Sequence, residues 1–395
     1  MASMVQSDIR RYSAVCAAVG GVNLSQGVCD QPAPEAIKQA AKTAIDADRS
    51  IYTNLRGTAG LRARIADKLR SFNRIEADPE TEIIVTLGAA GAFACAVMAT
   101  LNPGDACVLF SPYYSYHAHV LTMLGVEVRF VDLRPPAWTY AREEVERAVT
   151  DRTRMIVVNT PSNPTGKVFS EAELADLVEL ARRQDLWLVT DEIYEYITFD
   201  APHVSAASLP GAAERTITIS GASKTYAVTG WRIGYAAGPA AVIEKMAVAS
   251  DVFYICPPAP LQDGVEAGLS LPASYYSRMR DAYRAKRDLL AETLREVGFV
   301  PYVPAGAYYL LADLGALPYG DAREAAETIL AEGGVATVPA MDFYRDPDEG
   351  RRQLRFCFAK RLSDLQEACT RLRRLAEARP PAGAGGPGPL TSKGA

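Results

Sequence analysis

The chain is poor in the residues that build metal centres and disulfide frameworks. Its 395 residues include three histidines and seven cysteines. An odd cysteine count without a Cys-x-x-Cys pair argues against a disulfide scaffold or a structural zinc site. His117 and His119 fall two apart in a predicted helix, where side chains leave on nearly opposite sides. No cysteine or carboxylate cluster completes a site beside them, so no metal is expected. Charge of one sign is also missing. Lys plus Arg total 42 against 47 Asp plus Glu, a net charge of −5 that leaves no basic surplus for nucleic acid. No apolar run reaches membrane-spanning length, and the opening MASMVQSDIRR lacks the apolar core of a signal peptide. A cytoplasmic protein without membrane or nucleic-acid partners is expected.

What is present is ordinary for a globular protein: 49% hydrophobic and 23% charged residues, in a chain long enough for one large or two moderate domains. From residue 82 to 219 strand and helix patterns alternate. Strands are predicted over 82–87, 106–110, 126–131, 155–158, 186–190 and 216–219, and helices over 92–101, 113–124, 143–149 and 171–183. Short unbroken apolar runs such as EIIVTL and LWLVT suit strands buried on both faces, hence an α/β fold with a parallel sheet between helices. Helices are also predicted over 35–46 and 60–70 before the sheet, and over 242–249, 259–269 and 274–297 after Tyr235, where the sheet pattern fades. Strands at 308–312, 334–338 and 353–358 with helices at 323–332 and 363–376 then describe a smaller α+β lobe. The expected division is an arm with part of the small domain (1–45), a large domain (46–285), a C-terminal small domain (286–378) and a Pro/Gly-rich disordered tail (379–395).

In open α/β sheets ligands sit beyond the carboxyl ends of the strands, so the residues just past each strand are candidates for a site. After EIIVTL come Gly88-Ala89-Ala90-Gly91, read as a turn at a helix N-terminus, where free N–H groups attract phosphate. Read alone, these four residues are a common small-residue turn, with neither dinucleotide nor Walker spacing. The next strand ends in Ser-Pro-Tyr113-Tyr114, offering aromatic faces, and MIVV ends in Asn159-Thr-Pro-Ser-Asn163-Pro-Thr-Gly166. Asp191, closing LWLVT and followed by Tyr194, lies near the interior, where an unpaired carboxylate is costly. It needs a cationic partner, and a protonated pyridine nitrogen is one. After TITIS comes Lys224, with Arg232 eight residues on among glycines. A loop lysine is most often a solvated charge. Just past a buried strand end, though, desolvation lowers its pKa and makes it a nucleophile towards aldehydes. Arg232 suits a phosphate. Lysine for an aldehyde and arginine for a phosphate together describe pyridoxal 5′-phosphate.

With Asn163-Pro-x-Gly, Asp191-x-x-Tyr194, Ser223-Lys224 and Arg232 in this order, the chain resembles the fold-type I, pyridoxal-phosphate-dependent class I/II aminotransferases over about residues 20–375. The resemblance implies a large domain with a mainly parallel seven-stranded sheet flanked by helices, plus a smaller α+β domain. It implies an internal aldimine at Lys224, which also shuttles the proton, and Asp191 paired with the ring nitrogen. Tyr194 and Asn163 would bond the ring hydroxyl oxygen, Tyr114 would stack on the ring, and a cis Asn163–Pro164 bond is expected. The amides of Ala89 and Ala90, with Ser223 and Arg232, would hold the phosphate, joined by Tyr52 from the other subunit of a homodimer with shared sites. Arg355, in QLRFCF, would grip the substrate α-carboxylate, and Gly27 lies in the segment that covers the substrate. The substrates implied are an L-amino acid and a 2-oxo acid. The pieces Leu24–Asp30 and Pro304–Tyr309 resemble enzymes acting on aromatic, kynurenine-like or other neutral amino acids.

Some residues depart from the family's habit. Ala90 stands where a hydroxyl or amide side chain is usual, Gly221 where a serine is, and Pro339-Ala-Met-Asp-Phe replaces Pro-Gly-x-x-Phe. A lyase, a β- or γ-replacement enzyme or an oxidase-type enzyme on the same fold needs the same Lys224 and Asp191, so the motifs leave that alternative open. An effector-sensing domain of a regulator is disfavoured, since too few residues precede Tyr52 to build a winged helix.

Overall fold

The computed structural model describes residues 8–378. The first seven residues and the expected tail over 379–395 lie outside the described residues. The chain opens with α1 (Asp8–Ala18), β1 (Val22–Asn23), α2 (Glu35–Asp46) and α3 (Ala59–Lys68). The alternating region begins with β2 (Ile83–Leu87), α4 (Gly88–Thr100), β3 (Ala106–Ser111), α5 (Ser115–Met123) and β4 (Glu127–Asp132). It continues as α6 (Arg142–Ala148), β5 (Thr153–Asn159), α7 (Glu171–Arg183), β6 (Trp187–Asp191), β7 (Thr216–Gly221), α8 (Ala222–Thr225) and β8 (Ile233–Ala237).

These strands form a seven-stranded sheet in the order β2-β8-β7-β6-β5-β3-β4. Only β8 runs against the others, antiparallel to both β2 and β7. Alternate residues of β5 show why the apolar runs are unbroken. Ile156 and Val158 join one packed layer with Leu188 and Leu174, while Met155 and Val157 join the opposite layer with Ile217 and Val97. Each such buried side chain contributes about 1.5–3 kcal/mol. Helix α7 starts where the sequence tells it to: Ser170 Oγ accepts from the Glu173 N–H, and the Glu173 carboxylate accepts from the Ser170 N–H.

After α9 (Ala240–Tyr254), α10 (Ala259–Leu269) and the long α11 (Ala273–Glu296) comes the smaller α+β region. It comprises β9 (Val300–Tyr302), β10 (Tyr309–Asp313), α12 (Ala322–Gly333), β11 (Val335–Ala336), β12 (Val338–Pro339), β13 (Gln353–Cys357) and α13 (Leu362–Ala378). Strands β12-β13-β10-β9 make an antiparallel sheet, and β11 pairs in parallel with β1, bringing the N-terminal segment beside it.

Two local expectations are corrected. Gly88–Gly91 is not a separate turn but the first turn of α4, because Gly88 takes φ +73°, letting the helix start directly off β2. The run 334–338 is not one strand: it splits into β11 and β12, which pair in different sheets.

Candidate active site

Beyond the carboxyl ends of the parallel strands lies a cavity of about 280 Å3. Lys224, Asp191, Tyr194, Asn163 and Arg355 line it together with Tyr114 and Gly27. Ala89, Ala90, Ser223 and Arg232 line it as well. Tyr52 does not. It stands 75% exposed on the loop after α2.

Lys224 sits in the single turn of α8 directly after β7, and its Nζ donates to the Gly27 carbonyl at 3.2 Å. Burial, the largest influence, pulls its pKa below the ordinary lysine value. The Tyr308 hydroxyl donates to the same carbonyl at 3.0 Å, so the Gly27 segment is fastened over the cavity. A side chain at position 27 would collide with the Tyr309 hydroxyl, its Cβ falling 1.7 Å away.

Asp191 closes β6, is 5% exposed, and holds two hydrogen bonds: Oδ1 accepts from the Ile193 N–H at 3.2 Å, and Oδ2 lies 3.0 Å from His117 Nε2. Sequence reading missed His117. The two members of the His-x-His pair do part as expected, His117 buried and His119 exposed. The available signal was position. His117 lies three residues after Tyr114, on the same helical face, and the two rings meet edge to face at 5.2 Å. The neighbouring loop is tied to Asp191 through Asn159, whose Nδ2 donates to the Asp191 carbonyl at 3.0 Å while its Oδ1 accepts from the Asn163 N–H at 2.7 Å. The Asn163–Pro164 bond is cis, as expected.

Arg355 is 1% exposed on β13, paired in register with Leu311 on one side and Val338 on the other. Its guanidinium lies 4.4 Å from the Tyr309 ring centre and 4.6 Å from that of Phe343. Nη1 donates to Asn163 Oδ1 at 3.0 Å and Nη2 to the Ser25 carbonyl at 2.8 Å, while the buried Nε has no partner among the described residues. A buried cationic donor left over in this way is set up for an anionic acceptor. Tyr194, buried beside it, donates to the Tyr309 hydroxyl at 3.2 Å, and burial raises its phenol pKa.

At the other end the backbone comes together closely. A Cβ on Gly234 would fall 2.4 Å from the Ala89 nitrogen, and one on Gly88 would fall 2.4 Å from Arg232 Nη2. Glycine at both positions lets the N-terminus of α4, the Arg232 guanidinium and Ser223 share one small space. This is a cradle for a phosphate. Gly221 has a similar cause: a Cβ there would fall 2.8 Å from Gly234 Cα, which explains the missing serine.

A lysine of lowered basicity, a buried carboxylate and a phosphate cradle in one cavity fit pyridoxal 5′-phosphate. With the mostly parallel seven-stranded sheet, they define a fold-type I pyridoxal-phosphate enzyme. The family model for aminotransferase class I and II matches residues 19–372. The chain is 39% identical over 377 residues to a probable N-succinyldiaminopimelate aminotransferase from Mycobacterium tuberculosis, covering 92% of this chain and 95% of that one. It is 38% identical over 358 residues to the aspartate/prephenate aminotransferase of Thermus thermophilus, covering 90% of each. The solved structure of N-succinyldiaminopimelate aminotransferase from M. tuberculosis superposes with a TM-score of 0.91 at 38% identity, covering 94% of this chain and 97% of that one. The chain belongs to the class I and II aminotransferase family. It is a pyridoxal-phosphate-dependent aminotransferase.

Proposed function

We propose that the chain moves an amino group between an L-amino acid and a 2-oxo acid, with Lys224 as the central base. The carrying observation is that the Lys224 amine, of lowered pKa, shares one cavity with Asp191, Arg232 and Arg355. When bound, pyridoxal 5′-phosphate supplies an aldehyde that captures amines and a ring that withdraws electrons. Asp191, held by His117, would pair with the ring nitrogen and keep it protonated. Asn163 and Tyr194 would serve the ring hydroxyl oxygen, and Tyr114 would supply an aromatic face to the ring. The amides of Ala89 and Ala90, with Ser223 and Arg232, would hold the phosphate. Arg355 takes the substrate α-carboxylate, which orients the Cα–H bond towards Lys224 Nζ, and Lys224 Nζ takes and returns the Cα proton. Gly27 and its segment exclude water above it.

The same reading includes a homodimer in which Tyr52 reaches the phosphate of the neighbouring site, supported by its exposure on its own chain. It also includes a cytoplasmic location, supported by seven free cysteines. No helix among the described residues is long and apolar enough to cross a membrane.

A panel of amino acids added to the holoenzyme, monitored by absorbance and an ammonia assay, tests the reaction. Stoichiometric conversion of the cofactor to its amine form, reversed by a 2-oxo acid, is expected. Ammonia release would instead indicate elimination or oxidation. Borohydride should attach the cofactor covalently to Lys224, and a tag on another lysine would refute the assignment.

A further inference from the structure

We propose that Lys360, between β13 and α13, is a positioning residue for Lys224: it pins the turn over residues 26–28 by its backbone carbonyls and so fixes where the Lys224 amine stands. The inference goes beyond the reading above and rests on it only for Lys224 as the base.

The segment over the cavity is held by its carbonyls, one after another. Arg355 Nη2 donates to the Ser25 carbonyl at 2.8 Å, and Lys360 Nζ donates to those of Gln26 and Val28 at 3.3 Å each. Between them, the Gly27 carbonyl accepts from Lys224 Nζ at 3.2 Å and the Tyr308 hydroxyl at 3.0 Å. The Val28 N–H also reaches the Gln26 carbonyl at 2.9 Å, which closes a three-residue turn with Gly27 at its apex. Residues 27 and 29 meet Lys224, since the Cys29 thiol donates to the Lys224 carbonyl at 3.8 Å. Residues 26 and 28 meet Lys360. The turn stands between two lysines, and one anchors it for the other.

Lys360 is 7% exposed and pairs with no carboxylate among the described residues. A buried ammonium is costly unless its donors are met, and these two carbonyls meet them. Its own place is fixed from behind. Lys286 Nζ on α11 donates to the Lys360 carbonyl, and three residues earlier the Cys357 N–H donates to the Leu24 carbonyl at 2.8 Å. An uncharged side chain of the same length would fill the space without holding either carbonyl. With both released, the apex can rock, and the Lys224 amine loses the fixed acceptor that directs its lone pair. For proton transfer between Lys224 Nζ and a substrate Cα, a shift of about 1 Å is worth up to ~100-fold in rate.

The test compares Lys360→Met and Lys360→Arg with the wild-type holoenzyme per bound cofactor, using an amino acid that the wild type turns over and its Cα-deuterated form. Lys360→Met should lower kcat about 10- to 100-fold with KM changed by less than about threefold. The deuterium isotope effect should rise, because Cα proton transfer becomes slower relative to the other steps. Amide exchange of the full chain, read by mass spectrometry, should quicken over residues 24–30 in Lys360→Met and stay unchanged in α13. Lys360→Arg should restore that protection and part of kcat. Unchanged kcat and isotope effect in folded Lys360→Met, a uniform loss of protection along the chain, or equal kinetic damage in both variants overturns the proposal. If Lys360→Met does not fold, Lys360→Gln carries the same comparison. Failure of both to fold also overturns the proposal, since the lysine then supports the fold as a whole. The two readings fail separately. A borohydride tag on another lysine removes Lys224 as the base, whereas a tag on Lys224 with unchanged kcat in Lys360→Met removes only the role of Lys360.

Discussion

At the scale of single residues, the site works by leaving specific groups under-satisfied in a buried setting. Arg355 shows this best: two of its guanidinium nitrogens are fixed by Asn163 and Ser25, and the third is orphaned. Replacing it with lysine keeps the charge but removes the planar fork. The preference for α-amino acids over the corresponding amines should then fall roughly 10- to 100-fold in kcat/KM, the value of a charged hydrogen-bonded pair. Equal losses for amino acids and amines would mean that Arg355 holds the small sheet together instead of the substrate. Asn163, Asp191 and Lys224 were readable in the sequence because each comes at or after the end of an apolar run that the sheet must place near the site, whereas Arg355, inside β13, was legible only through the family resemblance. His117 was not readable in that way, because its role depends on α5 turning it onto Asp191, a strand end distant in sequence.

At the scale of elements, strand β8 escaped the sequence pattern because Ile233-Gly-Tyr-Ala-Ala mixes small residues with a glycine, a poor advertisement for a strand. The structure explains the composition, since Gly234 must let the start of α4 lie directly against it. The stretch after β6 is held from behind by a buried ionic cluster joining α3 to the sheet. Lys68 Nζ lies 2.5 Å from Glu195 Oε2 and donates to the Tyr235 hydroxyl at 2.9 Å. Glu195 also accepts from Ser220 and Asn73, while Glu192, next to Asp191, meets His203 Nε2 at 2.7 Å. Removing one member leaves a buried charge behind. Glu195→Ala should therefore cost about 3–5 kcal/mol in chemical denaturation, and adding Lys68→Met should recover much of it. A loss under about 1 kcal/mol would show the pair to be solvated. The pH dependence has a definite sign. Burial pushes the Glu195 carboxyl up, but Lys68 and His203 outweigh it and hold the pKa below the ordinary glutamate value. The stabilisation is thus present above that ordinary value and lost as pH falls through the lowered one, and the wild type should lose more stability on acidification than the double variant.

At the scale of the whole molecule, the described chain carries apolar surface that a solvated monomer would be expected to hide. On α9 and just after it, Val248, Val252, Phe253 and Ile255 are exposed, with Val252 at 76% and Phe253 at 65%. Ile51 and Tyr52 are exposed at 83% and 75% on the loop after α2. In the homodimer proposed above, a second copy related by a two-fold axis would cover both surfaces and complete two equivalent sites. A homodimer is expected by sedimentation, and Val252→Asp combined with Phe253→Asp should give monomers with weakened cofactor affinity. Hybrids test the exchange of residues directly. A Lys224→Ala chain is inactive but carries an intact Tyr52, and a Tyr52→Phe chain keeps Lys224 but offers its partner no phenol. In a mixed dimer, the Lys224-bearing site of the second chain receives Tyr52 from the first and so becomes wild type in every part. Adding the inactive protein to the Tyr52→Phe protein under conditions of subunit exchange should therefore raise cofactor affinity, and activity at limiting cofactor, in proportion to the hybrid formed. An unchanged affinity after exchange, or a fully active monomer at working concentration, would show that Tyr52 does not act across an interface.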